Sequence, residues 1–152
     1  MAYADFEFYV NSYYGDILTE EIAEKWLQIA SDFVDAVTFH RTEYAFPVVE
    51  NDALKVRKAV CAIAEAKYLI DLQTKAALAT DEGTGTLHGS IASISSGRES
   101  ISFAQNGSGS TAYAKAATDK REETRQLREI AMMYLSCVAD SNGINLVYAG
   151  VS

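Results

Sequence analysis

Between Asn51 and Thr80 the apolar residues Val56, Val60, Ile63, Ala64 and Ile70 fall on one helical stripe, which Cys61, Tyr68 and Leu72 thicken toward a second face. Ala59, Ala62, Ala66, Ala76, Ala77 and Ala79 add strong helix preference and let neighbouring elements approach closely. A helix of this length with so wide an apolar face must be covered by other helices. It predicts a mainly α chain, a small bundle of about four helices with this one at its centre.

The other helices follow from the same periodicity. Tyr3, Phe6, Tyr9, Val10 and Tyr13 recur three or four apart, predicting a first helix over about 3–14 that Tyr14-Gly15 ends. Thr19 followed by Glu20 and Glu21 reads as an N-cap with acids in the first turn, where the helix dipole favours them. Ile22, Trp26, Ile29, Ala30, Phe33 and Val37 carry that second helix over about 19–39. The segment from His40 to Val49, with the only proline, Pro47, is a connection, and the third helix occupies about 51–80. A last helix is expected over about 111–140, broken near Thr118, with Leu127, Ile130, Ala131, Tyr134, Cys137 and Val138 buried and Asn142-Gly143 as its left-handed C-cap.

Two stretches read as β. Leu87 to Phe103 alternates polar and apolar residues around Ser96-Gly97 and predicts an inserted hairpin or long loop, flanked by glycine- and serine-rich arms. Two strands alone are marginal in water, so its apolar residues Ile91, Ile94, Ile101 and Phe103 are expected to lean on the helices or on another molecule. The tail, 144–152, is apolar and strand-like. Left exposed it would be adhesive, so it is expected to dock elsewhere.

Length and composition fit one domain over 1–152. No apolar run reaches the roughly 18 residues of a membrane span, and the N-terminal residues lack a basic start followed by an apolar core; a soluble cytosolic protein is expected. The net charge of −8 is uneven, because residues 1–50 hold ten acids against Lys25 and Arg41, while the remainder is balanced. That argues against a dedicated nucleic-acid binder, which normally shows a basic face. It is compatible with a wall that DNA slides past.

Residues that could carry chemistry do not assemble into a pattern. His40 and His88 lack spaced metal-ligating or triad partners. Gly83-Thr84-Gly85 is followed by no Lys-Ser/Thr and preceded by no strand, so it reads as a loop rather than a phosphate cradle. Asp32 and Asp35 read as a solvated acidic face, and Cys61 and Cys137 as small buried hydrophobes. No catalytic residue, metal or cofactor is expected. Arg121, Arg125 and Arg128 stand apart, because i, i+4, i+7 spacing puts three guanidiniums on one stripe. Local pairing with Glu122 and Glu129 is one reading. The other is a contact between identical subunits, head to tail, with the acidic first third of one against this stripe of the next.

The ordered set of these features resembles the head-to-tail adaptor, or connector, proteins of long-tailed bacteriophages and prophages. The resemblance runs through Phe8-Tyr9-Val10-Asn11-Ser12-Tyr13-Tyr14-Gly15, then Ala30-Ser31-Asp32-Phe33-Val34-Asp35-Ala36-Val37-Thr38 with Arg41 shortly after. It continues through Val60-Cys61-Ala62-Ile63-Ala64-Glu65, the serine-rich Ile94 to Phe103, and Gly143-Ile144-Asn145-Leu146-Val147-Tyr148-Ala149-Gly150-Val151. Ala149 departs from the pattern, in which a basic residue often precedes the terminal Gly-Val. The resemblance implies a non-enzymatic structural protein of the virion neck, assembled in the host cytoplasm. Such subunits form a homo-oligomeric ring, commonly of twelve, beneath the portal protein, and bind a tail-side connector or stopper protein. DNA passes through without sequence-specific binding. It further implies a tail that docks on the portal through Ile144, Leu146, Tyr148 and Val151, and a subunit interface involving the hairpin residues and the three arginines. The alternative is a small acidic helical interaction or regulatory domain that forms no ring.

Overall fold

The computed structural model describes residues 1–81, 93–96, 99–102, 116–117 and 119–150. Five helices account for most of it: α1 (Phe6–Asn11), α2 (Glu20–Val37), α3 (Arg41–Tyr44), α4 (Glu50–Asp81) and α5 (Lys120–Leu135). The chain folds as two compact units, Met1–Glu65 with Arg128–Ser152, and Ala66–Leu127. Both α4 and α5 run across the division.

In the first unit, α2 buries Ala23, Trp26, Leu27, Ala30, Val34 and Val37; of the predicted stripe, Trp26, Ala30 and Val37 are buried, whereas Ile22, Ile29 and Phe33 are half-buried, so the buried face is rotated from the expected one. The α4 segment of this unit buries Val56, Ala59, Val60, Cys61, Ile63 and Ala64. Full burial of each Val, Leu or Ile contributes about 1.5–3 kcal/mol. The buried polar groups on α2 are satisfied along the helix. Ser31 Oγ donates to the Leu27 carbonyl at 2.8 Å, and Thr38 Oγ1 contacts both the Val34 carbonyl at 2.9 Å and Thr42 Oγ1 at 2.6 Å. α2 closes through two consecutive left-handed residues, Phe39 and His40, with φ of 54° and 61°; the His40 N–H returns to the Asp35 carbonyl at 2.7 Å. Side chains adopt that backbone at a cost of roughly 1–2 kcal/mol each.

In the second unit, Ala66, Leu69, Ile70, Ala116 and Leu127 are buried. Lys67 Nζ bonds Glu123 Oε1 at 3.3 Å, and Lys120 Nζ meets Glu123 Oε2 at 2.7 Å. Burial works against the charged Glu123 carboxylate, but the two lysines together hold its pKa below the ordinary value.

Several sequence expectations need correction. The first helix covers Phe6–Asn11 rather than 3–14, because Asp5 caps it by accepting from the Phe8 N–H at 2.8 Å, leaving Tyr3 ahead of the helix. The last helix ends at Leu135 rather than near 140. Gly143, at φ 80°, is therefore not its C-cap but part of a tight loop in which Asp140 Oδ1 accepts from the Asn142 and Ile144 N–H groups at 2.8 and 2.9 Å. Cys137 follows the helix and is exposed, unlike Cys61.

The tail does not form a strand over 144–150. One bridge joins Ala139 to Asn145, and Asn145 Oδ1 takes the Val147 N–H at 3.0 Å, so side chains occupy backbone groups that a ladder would use. An inserted hairpin spanning 87–103 is likewise unsupported. Of that stretch, the described backbone is limited to Ser93–Ser96 paired antiparallel with Glu99–Ser102, in a register that sets Ile94 opposite Ile101. Among the described residues, no helix is long and apolar enough to cross a membrane.

Candidate functional site

The first unit carries a groove of about 780 Å³ where the N-terminal segment meets α2 and the segment after α3. Its apolar lining includes Tyr3, Phe6, Leu27 and Phe46. Tyr3 is fixed at three points. Its N–H donates to Ser31 Oγ at 3.0 Å, its hydroxyl donates to Asp35 Oδ1 at 2.5 Å, and its ring stacks on Phe46 at 5.4 Å between centroids. Asp35 is thus not simply a solvated acid. Burial raises its pKa above the ordinary carboxylate range despite the tyrosine hydrogen bond, and the Tyr3 phenol is pushed up by its own burial and by Asp35.

The rim is acidic. Asp5, Glu20, Glu24 and Glu43 border the groove, with Arg57 as a cation among them. Asp5 is engaged in capping α1, Glu43 pairs with His40 Nδ1 at 3.0 Å, and Arg57 lies over the Phe8 ring at 5.7 Å. Glu20 and Glu24 occupy successive turns of α2, are exposed, and have no ion-pair partner among the described residues. Like charges four apart on a helix repel by a few tenths of a kcal/mol. The groove therefore combines an apolar floor with uncompensated negative potential, an arrangement that receives a cationic group attached to an apolar one and rejects phosphate.

A part-buried polar cluster in the same unit links the N-terminal segment to α4. The Tyr9 hydroxyl donates to Glu65 Oε1 at 2.6 Å and accepts from the Ile17 and Leu18 N–H groups at 2.9 and 3.0 Å; the Tyr13 hydroxyl donates to Glu65 Oε2 at 3.2 Å. Burial pushes both phenols above their usual pKa, with Glu65 adding to the shift, so they remain donors. Gly15 is required here, since a Cβ at that position would collide with the Tyr9 ring. Burial also raises the nearby Cys61 thiol, with Glu65 contributing, to about 12, keeping it protonated.

Burial raises the pKa of Glu65 above its ordinary value, and the two tyrosine hydrogen bonds pull it part of the way back. Unfolded, this carboxyl titrates near the ordinary glutamate value of about 4.3. Between that value and the higher native one, the folded state binds more protons than the unfolded state, so stability falls as pH rises through the window. Glu65→Gln removes this slope. Urea midpoints measured from pH 4 to pH 7 are expected to decline in the parent relative to the variant; parallel profiles would show that Glu65 does not titrate there.

The residues singled out from sequence have varied placements. Arg121, Arg125 and Arg128 are all exposed on α5, and Arg125 pairs with Glu122 at 3.0 and 2.5 Å. Ile94 and Ile101 lie in the paired backbone segments, while Ile91 and Phe103 lie outside the described residues. Ile144 and Tyr148 are exposed, and Arg41 sits over the Tyr148 ring at 5.9 Å while donating to the Asn145 carbonyl at 3.0 Å. Leu146, expected to dock on a partner, is instead buried in its own chain, because the turn at Asn145 directs it inward; its N–H bonds the Val138 carbonyl at 2.9 Å. Val151 and His88 lie outside the described residues. His40 is exposed, and its ring Nδ1 lies 3.0 Å from Glu43 Oε2.

Sequence reading missed the groove, since its floor comes from residues near 3, 27 and 46 that only tertiary structure unites. The available signal was Glu20, Glu24 and Leu27 at i, i+4, i+7. No protein-family model, curated protein or solved structure matches this chain.

Proposed function

We propose that this chain is a structural subunit of a head-to-tail adaptor ring, joining a phage capsid beneath its portal to the tail. The observation carrying this reading is the presence on one chain of two unlike exposed surfaces of opposite charge, the acidic rim around Glu20 and Glu24 and the arginines of α5. Complementary but different surfaces on identical chains make heterologous contacts, which close into rings. The ordered sequence resemblance to adaptor proteins supports the same reading, and the excess acid suits a channel wall that repels DNA rather than trapping it.

In this reading the 87–103 segment packs as a hairpin against a neighbouring subunit, burying Ile91, Ile94, Ile101 and Phe103. Ile144 and Tyr148, with Val151 beyond them, face the portal, while Leu146 anchors the tail to its own subunit. The test is to mix the purified chain with a purified phage portal protein and to examine the mixture by light scattering and negative-stain microscopy. A ring, free or seated on the portal, is expected. A chain that neither forms rings nor binds portal overturns the proposal and leaves a small acidic interaction domain.

A further inference from the structure

We propose that the acidic groove of the first unit receives the arginine–methionine face of α5 from a second copy of the chain. This rests on the ring reading above and names the two surfaces that meet. A groove with an apolar floor and an acidic rim calls for an occupant that places cations beside apolar groups. On α5, Arg121, Arg125, Arg128 and Met132 recur at i, i+4, i+7 and i+11, which is one stripe of a helix, and Met133 lies beside it. The arginines are exposed, and Met132 and Met133 are 40% and 75% exposed. Methionine is deformable and fills irregular apolar surfaces, which makes two exposed methionines on a polar helix suited to a contact.

The charges match in availability as well as in sign. Glu20 and Glu24 have no ion-pair partner among the described residues, and neither do Arg121 and Arg128, whereas Arg125 is held by Glu122. Arg128, Met132 and Met133 belong to the unit that carries the groove and do not line it, so the contact proposed is between copies. Exposed pairs of this kind are screened by salt, so the association should weaken as ionic strength rises.

Two full-length variants separate the surfaces. Glu20→Lys/Glu24→Lys abolishes the groove's charge and keeps the stripe; Arg121→Glu/Arg128→Glu does the reverse. All four positions are exposed, and circular dichroism should report parental helix content in both. At concentrations where the parent assembles, each variant alone is expected to scatter as a monomer. In an equimolar mixture the native pair, acidic groove on arginine stripe, and the inverted pair, lysine groove on glutamate stripe, are both complementary, so assembly larger than the 16.6 kDa monomer is expected to return. A chain carrying all four substitutions regains assembly through inverted charges. If the groove variant assembles as the parent does, the groove assignment is overturned while the ring reading stands. A parent that remains monomeric at every concentration overturns the self-pairing, and the ring reading is then decided separately by portal binding.

Discussion

Leu146→Ala is expected to destabilise the chain by about 2–5 kcal/mol, the cost of deleting a fully buried leucine where the surroundings relax only in part. Leu146 has no solvent exposure, and neither does Val138, whose carbonyl accepts the Leu146 N–H at 2.9 Å. At this chain length about 1 kcal/mol shifts the melting temperature by roughly 2–4 °C, giving an expected fall of roughly 5–15 °C in a calorimetric scan. Ile144→Ala, two residues away and exposed, should change stability by no more than about 0.5 kcal/mol. Equal effects at the two positions would mean that the tail is not seated through Leu146.

Tyr9→Phe should cost about 2–4 kcal/mol, more than the usual loss of a hydroxyl. This hydroxyl is a junction. Its removal leaves the Leu18 and Ile17 N–H groups without the acceptor they use, and the Glu65 carboxylate without its shorter hydrogen bond. Each buried polar group deprived of a partner costs about 1–3 kcal/mol. Tyr13→Phe removes a single 3.2 Å contact and is expected to cost less than half as much. Denaturant titrations of the two variants check the order. Loss of the Tyr9 bond should also raise the Glu65 pKa further, since that bond favours the charged carboxylate.

The helices that bury a continuous stripe, α2 and α4, were legible because a 3.6-residue period leaves its mark on residue type. Their limits differ from expectation by a residue or two. The ends governed by single side chains were harder to see. Asp5 could be read as a cap only by setting aside the aromatic spacing that runs on through Tyr3. The early end of α5 follows from Asn145, whose amide donates to the Ser136 carbonyl at 2.6 Å, a tertiary competitor nine residues away. An apolar run such as 144–151 is equally consistent with a strand and with a turn-rich tail that inserts one leucine. Only the partners of its backbone groups decide between them. The arginine stripe was visible from spacing alone, whereas Phe46 and Arg57 had no local signature linking them to Tyr3 and Phe8.

The first compact unit is assembled from Met1–Glu65 and Arg128–Ser152, with Leu135, Val138 and Leu146 among its buried residues. During synthesis, α2 and the first half of α4 therefore leave the ribosome long before the side chains that complete their apolar cover. At about 5–20 residues per second, the intervening stretch holds that surface open for several seconds. The subunit's vulnerability to premature association is thus set by the timing of translation, and a ribosome stalled anywhere between 66 and 127 prolongs it.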